Sequence, residues 1–139
     1  MELQVGVKAV LVNKEGKALL LKRSSEKYGK TQGSLDIVGG RIDSGSTLLE
    51  NLKREIREET GLEMTGTPRL IAAQDILLPE RHVVRLTYVG RIDGEPELDT
   101  SENVEYRWCT HEELVREPDL DIYVRELIEQ EILTADSWA

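Results

Sequence analysis

The chain has little of what disulfide, zinc or membrane chemistry requires. Its 139 residues include one cysteine, Cys109, so no intramolecular disulfide forms and no cysteine-based zinc cluster assembles. Cys109 stands in the apolar-aromatic run Tyr106-Arg107-Trp108-Cys109, where a buried structural thiol is expected rather than a nucleophile. Histidine is nearly as scarce: His82 and His111 are the two present, neither has a partner four residues away, and neither suggests a zinc site. No apolar run approaches the roughly twenty residues of a membrane-spanning helix. Lys8 interrupts the first apolar stretch, which continues as an ordinary strand, so no signal peptide is expected and a cytoplasmic location is the default. Positive charge is outnumbered: 18 Lys and Arg face 27 Asp and Glu, for a net charge of −9. That balance argues against a general binder of nucleic-acid backbones. Repeats, low-complexity tracts and linkers are absent too, and the length suits one domain, residues 1–139, with a core that needs no disulfides.

What is present is an alternation of strand and helix signals. Residues 5–12 are β-branched and apolar, and Asn13-Lys14-Glu15-Gly16 supplies turn chemistry before residues 18–21, which predicts a hairpin. Residues 24–33 are polar and read as an exposed loop. Residues 35–38 form a short strand running into Gly39-Gly40. A helix is expected over 47–60, capped by Ser46 or Thr47, with Thr47 and Glu50 at capping-box spacing and Leu48, Leu49, Leu52 and Ile56 as its apolar stripe. Residues 69–78 and 82–92 read as long strands around a Pro79-Glu80-Arg81 loop, and 104–109 as a last strand whose Val104, Tyr106 and Trp108 alternate into the core. Thr110 to Glu113 opens a short helix with a second capping box. Residues 121–133 carry Ile122, Val124, Leu127, Ile128 and Ile132 at helical spacing. A mixed β-sheet with a helix on either side accounts for this order: an α/β fold, specifically an α/β/α sandwich.

The densest chemistry lies in Arg54-Glu55-Ile56-Arg57-Glu58-Glu59-Thr60-Gly61-Leu62. On a helix, Glu58 and Glu59 fall about 60° to one side and 40° to the other of Glu55. Three like charges on one face repel, and a cation there reverses the sign of the interaction. Hard carboxylate oxygens on a rigid element suit magnesium or manganese. An isolated acidic helix face is ordinarily a solvated surface. Here the flanks count against that reading: Gly39-Gly40 precedes the helix, and Gly61 ends it where a left-handed cap belongs.

The run from Gly39 to Leu62 resembles the Nudix box, G-x5-E-x7-R-E-U-x-E-E-x-G-U with U aliphatic. Gly40, Arg54, Glu55, Ile56, Glu58, Glu59, Gly61 and Leu62 satisfy eight of its nine specified positions. The departure is Ser46, where the family carries a glutamate that pairs with the arginine matched by Arg54. Glu50 or Glu58, a helical turn away, is the expected replacement partner.

The resemblance implies the Nudix-type fold and hydrolysis of a nucleoside diphosphate linked to another moiety, with Mg2+ as cofactor and Mn2+ as substitute. It implies metal ligation by Glu55, Glu58 and Glu59, with the Gly39 carbonyl as a plausible further ligand. Likeness to MutT-type nucleoside triphosphate pyrophosphohydrolases extends over most of the chain. It nominates Arg23 and Gly40 on the substrate side. Glu102, six residues before Trp108, is the candidate fourth carboxylate, with Glu97 and Asp99 as alternatives. Either Glu102 or Glu55 is the expected general base. The implied partner is a small nucleotide, with no nucleic-acid polymer and no membrane; a homodimer is compatible with the family. A (deoxy)nucleoside triphosphate or a modified form leads as substrate, followed by ADP-ribose or another nucleoside diphosphate derivative. A ligand sensor that has lost turnover is the reading from a different functional class.

Overall fold

The computed structural model describes residues 1–24 and 33–138. Most of the loop expected at 24–33 therefore lies outside the described residues. Among the described residues ten main elements follow in chain order. They are β1 (Glu2–Val12), β2 (Ala18–Arg23), β3 (Leu35–Asp36), β4 (Val38–Arg41), α1 (Leu48–Thr60), β5 (Met64–Leu77), β6 (Arg81–Ile92), β7 (Asn103–Cys109), α2 (His111–Arg116) and α3 (Ile122–Glu129). A 3-10 turn at Asp136–Trp138 follows.

The seven strands form one mixed sheet in which β3, β2, β1, β6 and β5 lie side by side; β7 adds to β2, and β4 adds to β1. Among the described strands only β1 and β6 pair in parallel, in register from Glu2 opposite Arg81 to Val12 opposite Arg91. Side chains alternate across a strand, and here the alternation divides the interior into two cores. Val7, Ala9 and Leu11 of β1 join Leu52 and Ile56 of α1. Val10 and Val12 face the other way, toward Leu114 of α2 and Val124 and Leu127 of α3. The expected layering of helix, mixed sheet and helix is what the chain adopts.

Local signals account for the helices. Thr47 caps α1 and forms a complete capping box with Glu50; Gly61 closes the helix at φ 72° and donates its N–H to the Arg57 carbonyl. Thr110 and Glu113 form the second box, at the start of α2. Cys109 is buried as expected, and burial pushes its thiol pKa up, which keeps it inert.

Four expectations need correcting. Leu48 and Leu49, in the first turn of α1, are exposed. Beside the expected Leu52, the fully enclosed position in that half of the helix is a polar one, Asn51. Its amide donates to the Asp43, Ser46 and Thr47 carbonyls and accepts the Asp43 N–H, bolting the preceding loop to the helix. In β7, Val104 and Tyr106 are exposed, and Trp108 alone of the three packs against the α1-side core. The Tyr106 hydroxyl and Trp108 indole both donate to Glu95. α3 stops at Glu129, and Ile122 and Ile132 of its expected stripe face outward. β5 begins at Met64 instead of 69. Gly66 and Pro68 obscured its start, and the pairing with β6 shifts between Thr65 and Arg69, as a bulge permits.

No helix among the described residues is long and apolar enough to cross a membrane.

Candidate active site

β1 changes partner along its length, and the site lies where it does so. Val12 pairs with Ala18 of β2, whereas Gly6 to Ala9 pair with Arg41 to Val38 of β4. At this fork opens a cavity of about 650 Å³, walled by Lys8, Gly39 and Gly40 and by carboxylates of α1. Gly39 is required by its backbone, and Gly40 gives room to the Glu55 side chain. Gly39 sits at φ 143°, and a Cβ there would collide with the Val7 carbonyl. A Cβ on Gly40 would fall 2.6 Å from a Glu55 carboxylate oxygen. Side-chain-free backbone thus lets α1 press its acidic face onto β4.

The three glutamates of that face meet different environments. Glu59 is 8% exposed. It accepts the Gly39 N–H at 2.8 Å and the Asn103 side-chain amide at 3.1 Å. Burial pushes its pKa up to about 7, assisted by the Glu55 charge and opposed by Lys8 and the two hydrogen bonds. Glu55 is raised as well, by burial and then by Glu58, with Arg54 and Lys8 working against the shift. Glu58 stands at the mouth, where its side chain is 60% exposed.

Arg54 spans the group. It reaches Asp43 at 2.9 Å, Glu55 at 3.1 Å and Glu58 at 3.7 Å, and donates to the Asn51 side-chain Oδ1 at 2.6 Å. Of the two partners expected in place of the glutamate missing at Ser46, Glu58 serves and Glu50 does not, being held by the Thr47 cap. Asp43, Glu55 and Asn51 complete the set.

The opposite wall carries a charge cluster that sequence reasoning missed. Asp36 and Asp121 are 3% and 1% exposed. Arg85 bridges them at 3.1 and 3.2 Å, Arg23 bridges them at 3.5 and 3.2 Å, and Lys8 pairs with Asp36 at 2.9 Å. Burial would raise the Asp36 pKa, but Lys8, Arg85 and Arg23 together hold it well below the usual carboxylate range. Asp121 shifts upward, through burial and the Asp36 charge. It also caps α3, accepting the N–H groups of Tyr123 and Val124. The available signal was a charged residue inside each apolar strand run: Lys8, Asp36, Arg85. Arg23, nominated for the substrate side, lies in this wall, and its guanidinium serves two carboxylates, Asp36 and Asp121.

Glu102 lines the cavity. Glu97, one of its two alternatives, instead donates its N–H to the Thr60 carbonyl and packs beside Gly61 at the far end of α1. Asn103, next to Glu102, is buried and was not anticipated; it ties β7 to Glu59.

The donors available to a metal are carboxylates and one backbone carbonyl, all hard oxygens, which fit Mg2+ or Mn2+ and disfavour softer ions. Among the described residues no three acidic, histidine or cysteine side chains already converge on one point. Ion binding there entails rotation of carboxylates now held by Arg54, Gly39 and Asn103. The two histidines lie elsewhere: His82 bonds Asp75 at 2.7 Å, and His111 meets Trp138 edge-on.

Comparison with known proteins gives a consistent result. The NUDIX domain family model matches residues 2–130. The MutT protein from Methanosarcina mazei Go1 superposes with a TM-score of 0.80 at 29% identity, covering 93% of this chain and 92% of that one. The CTP pyrophosphohydrolase of Escherichia coli is 27% identical over 120 residues, 82% of each chain. The NAD-capped RNA hydrolase NudC of Vibrio vulnificus is 30% identical over 105 residues. The match covers 76% of this chain but 40% of the NudC protein.

Proposed function

The chain belongs to the NUDIX domain family, and from that premise we propose that it hydrolyses the pyrophosphate bond of nucleoside triphosphates, canonical or modified, to the monophosphate and pyrophosphate. The observation that carries this reading is the gathering of Glu55, Glu58, Glu59, Glu102 and the Gly39 carbonyl around one cavity, all of them oxygen donors. Similarity over four-fifths of both chains to a protein named a CTP pyrophosphohydrolase supports the choice of triphosphate.

Each residue has a part in this reading. Glu59, Glu55, Glu58 and Gly39 hold divalent ions, Mg2+ or Mn2+, with Glu102 completing the set. Ions held there supply charge screening for the phosphoryl oxygens and lower the pKa of water. Glu102 or Glu55 takes the proton of the attacking water. Arg54 orients Glu55 and Glu58, and Gly40 allows close approach of the phosphates. Arg23 contributes positive charge to the phosphate end as part of the fixed cluster with Asp36 and Asp121.

A substrate screen with Mg2+ and with Mn2+ tests the proposal. It covers canonical and oxidised nucleoside triphosphates, ADP-ribose, nucleotide sugars and dinucleoside polyphosphates, with products resolved by chromatography. Monophosphate plus pyrophosphate is the expected result. Preferential cleavage of ADP-ribose or another nucleoside diphosphate derivative would establish the second reading, which the similarity to an NAD-capped RNA hydrolase supports. Saturable binding without turnover of any compound would make the chain a sensor.

A further inference from the structure

Lys8 has no part in the reaction as set out above, yet it stands between the two charged walls of the cavity. The pairing of β1 with β4 sets it opposite Gly39. The missing side chain of Gly39 lets the lysine stem lie across it: a Cβ at Gly39 would come 2.9 Å from the Lys8 Cδ. The Lys8 ammonium then donates to the Gly39 carbonyl at 3.4 Å and pairs with Asp36 at 2.9 Å, with the side chain 15% exposed. Its charge also bears on Glu59 and Glu55.

The Gly39 carbonyl thus has two claimants. Lys8 donates to it, and the function proposed above assigns it to a divalent ion. Two positive charges a few ångströms apart repel strongly in a partly buried site. We propose that Lys8 is a resident competitor of the divalent ion, which binds only after displacing the ammonium from the Gly39 carbonyl. Lys8 is therefore a positioning residue. While it holds the carbonyl it offsets the charge of Glu59 and Glu55, and once displaced it stays tethered through its shorter contact to Asp36. Its presence raises the concentration of metal needed to fill the site. The inference rests on Gly39 and Glu59 being ion ligands, and its test separates the two claims.

Mn2+ binding to nucleotide-free protein, followed by loss of the free-ion EPR signal, is the measurement. Lys8→Met should bind Mn2+ roughly ten- to a hundredfold more tightly than the wild type, and adding Glu59→Gln should abolish that binding. Equal or weaker binding by Lys8→Met, with Glu59→Gln still abolishing it, overturns the competitor and leaves the ligands standing. Binding that survives Glu59→Gln overturns both. A measurement on the wild type covers the case in which Lys8→Met does not fold. The side-chain Nζ resonance of Lys8, identified by its absence from the Lys8→Arg spectrum, should shift with Mg2+ in step with the Gly39 amide. A Gly39 amide that moves while the Lys8 Nζ signal stays still overturns the proposal, and stillness of both overturns the ligand assignment with it.

Discussion

Asp36 and Glu59 face the same cavity from opposite walls. Both are almost out of reach of water, at 3% and 8% exposure, yet their chemistry diverges. Asp36 is surrounded by Lys8, Arg23 and Arg85, and its charge is overcompensated. Glu59 receives two neutral N–H donors and the more distant field of Lys8, and its acidity falls until the carboxyl titrates near neutrality. One wall is therefore a finished ion network that holds β1, β2, β3, β6 and α3 together. The other is an acidic surface kept in tension, its cost relieved by an added cation or by a proton. Structural charge and chemical charge thus differ in what encloses them, since the two carboxylates are equally buried.

The largest effect that separates the walls is expected at Glu59. Glu59→Gln should lower turnover by about a thousandfold while the melting temperature at pH 8 holds or rises; near-normal turnover would remove Glu59 from the metal site. Asp36→Asn should do the reverse, leaving buried cations without their countercharge at a cost of about 3–5 kcal/mol, read by urea unfolding. A loss below about 1 kcal/mol would show that the network is dispensable.

The comparison also has a pH signature. Glu59 carries a folded pKa of about 7 against an ordinary 4.5, so the folded state binds its proton more tightly. Its stability contribution is fully present below pH 4.5 and is lost as pH rises through 7. In chelator, unfolding free energy should fall by roughly 3 kcal/mol across that window, and the slope should flatten in Glu59→Gln. Asp36, held low, gives the opposite arm: its contribution is present above the ordinary carboxylate range and is lost in acid.

A smaller effect ranks the loop carboxylates. Glu102→Gln should lower turnover about tenfold or more, and Glu97→Gln should change it little; the reverse order would move the fourth carboxylate. Smallest of all is Ser46→Glu. Arg54 already has Asp43, Glu55 and Asn51, so an added glutamate at this exposed position should alter the rate by less than about twofold. A rise from no activity to full activity would instead show that the serine impairs the enzyme.

How legible each part was follows from how far apart in the chain its partners lie. The α1 helix, both capping boxes and the left-handed Gly61 are set by neighbours within four residues, and all could be read in advance. The acidic face of α1 belongs to the same class. Asp36 and Arg85 meet across 49 positions and Lys8 and Gly39 across 31; no local period encodes either meeting. Asn51 was hidden for a different reason: a polar side chain outside the apolar stripe is buried beside Leu52, held by loop backbone groups that the helical period does not register. The exposed Tyr106 shows the converse error. Strand alternation located its face, but only the position of Glu95 explains why that face can meet water.

The two tryptophans give this architecture an optical consequence. Trp108 packs against the core beneath α1, with its indole N–H donated to Glu95, whereas Trp138 lies inside the core beneath α2 and α3 and donates to the Gly16 carbonyl. With phenylalanine absent from the chain, each half of the sandwich carries one indole chromophore. Emission from single-tryptophan variants would thus follow the two layers separately as they come apart.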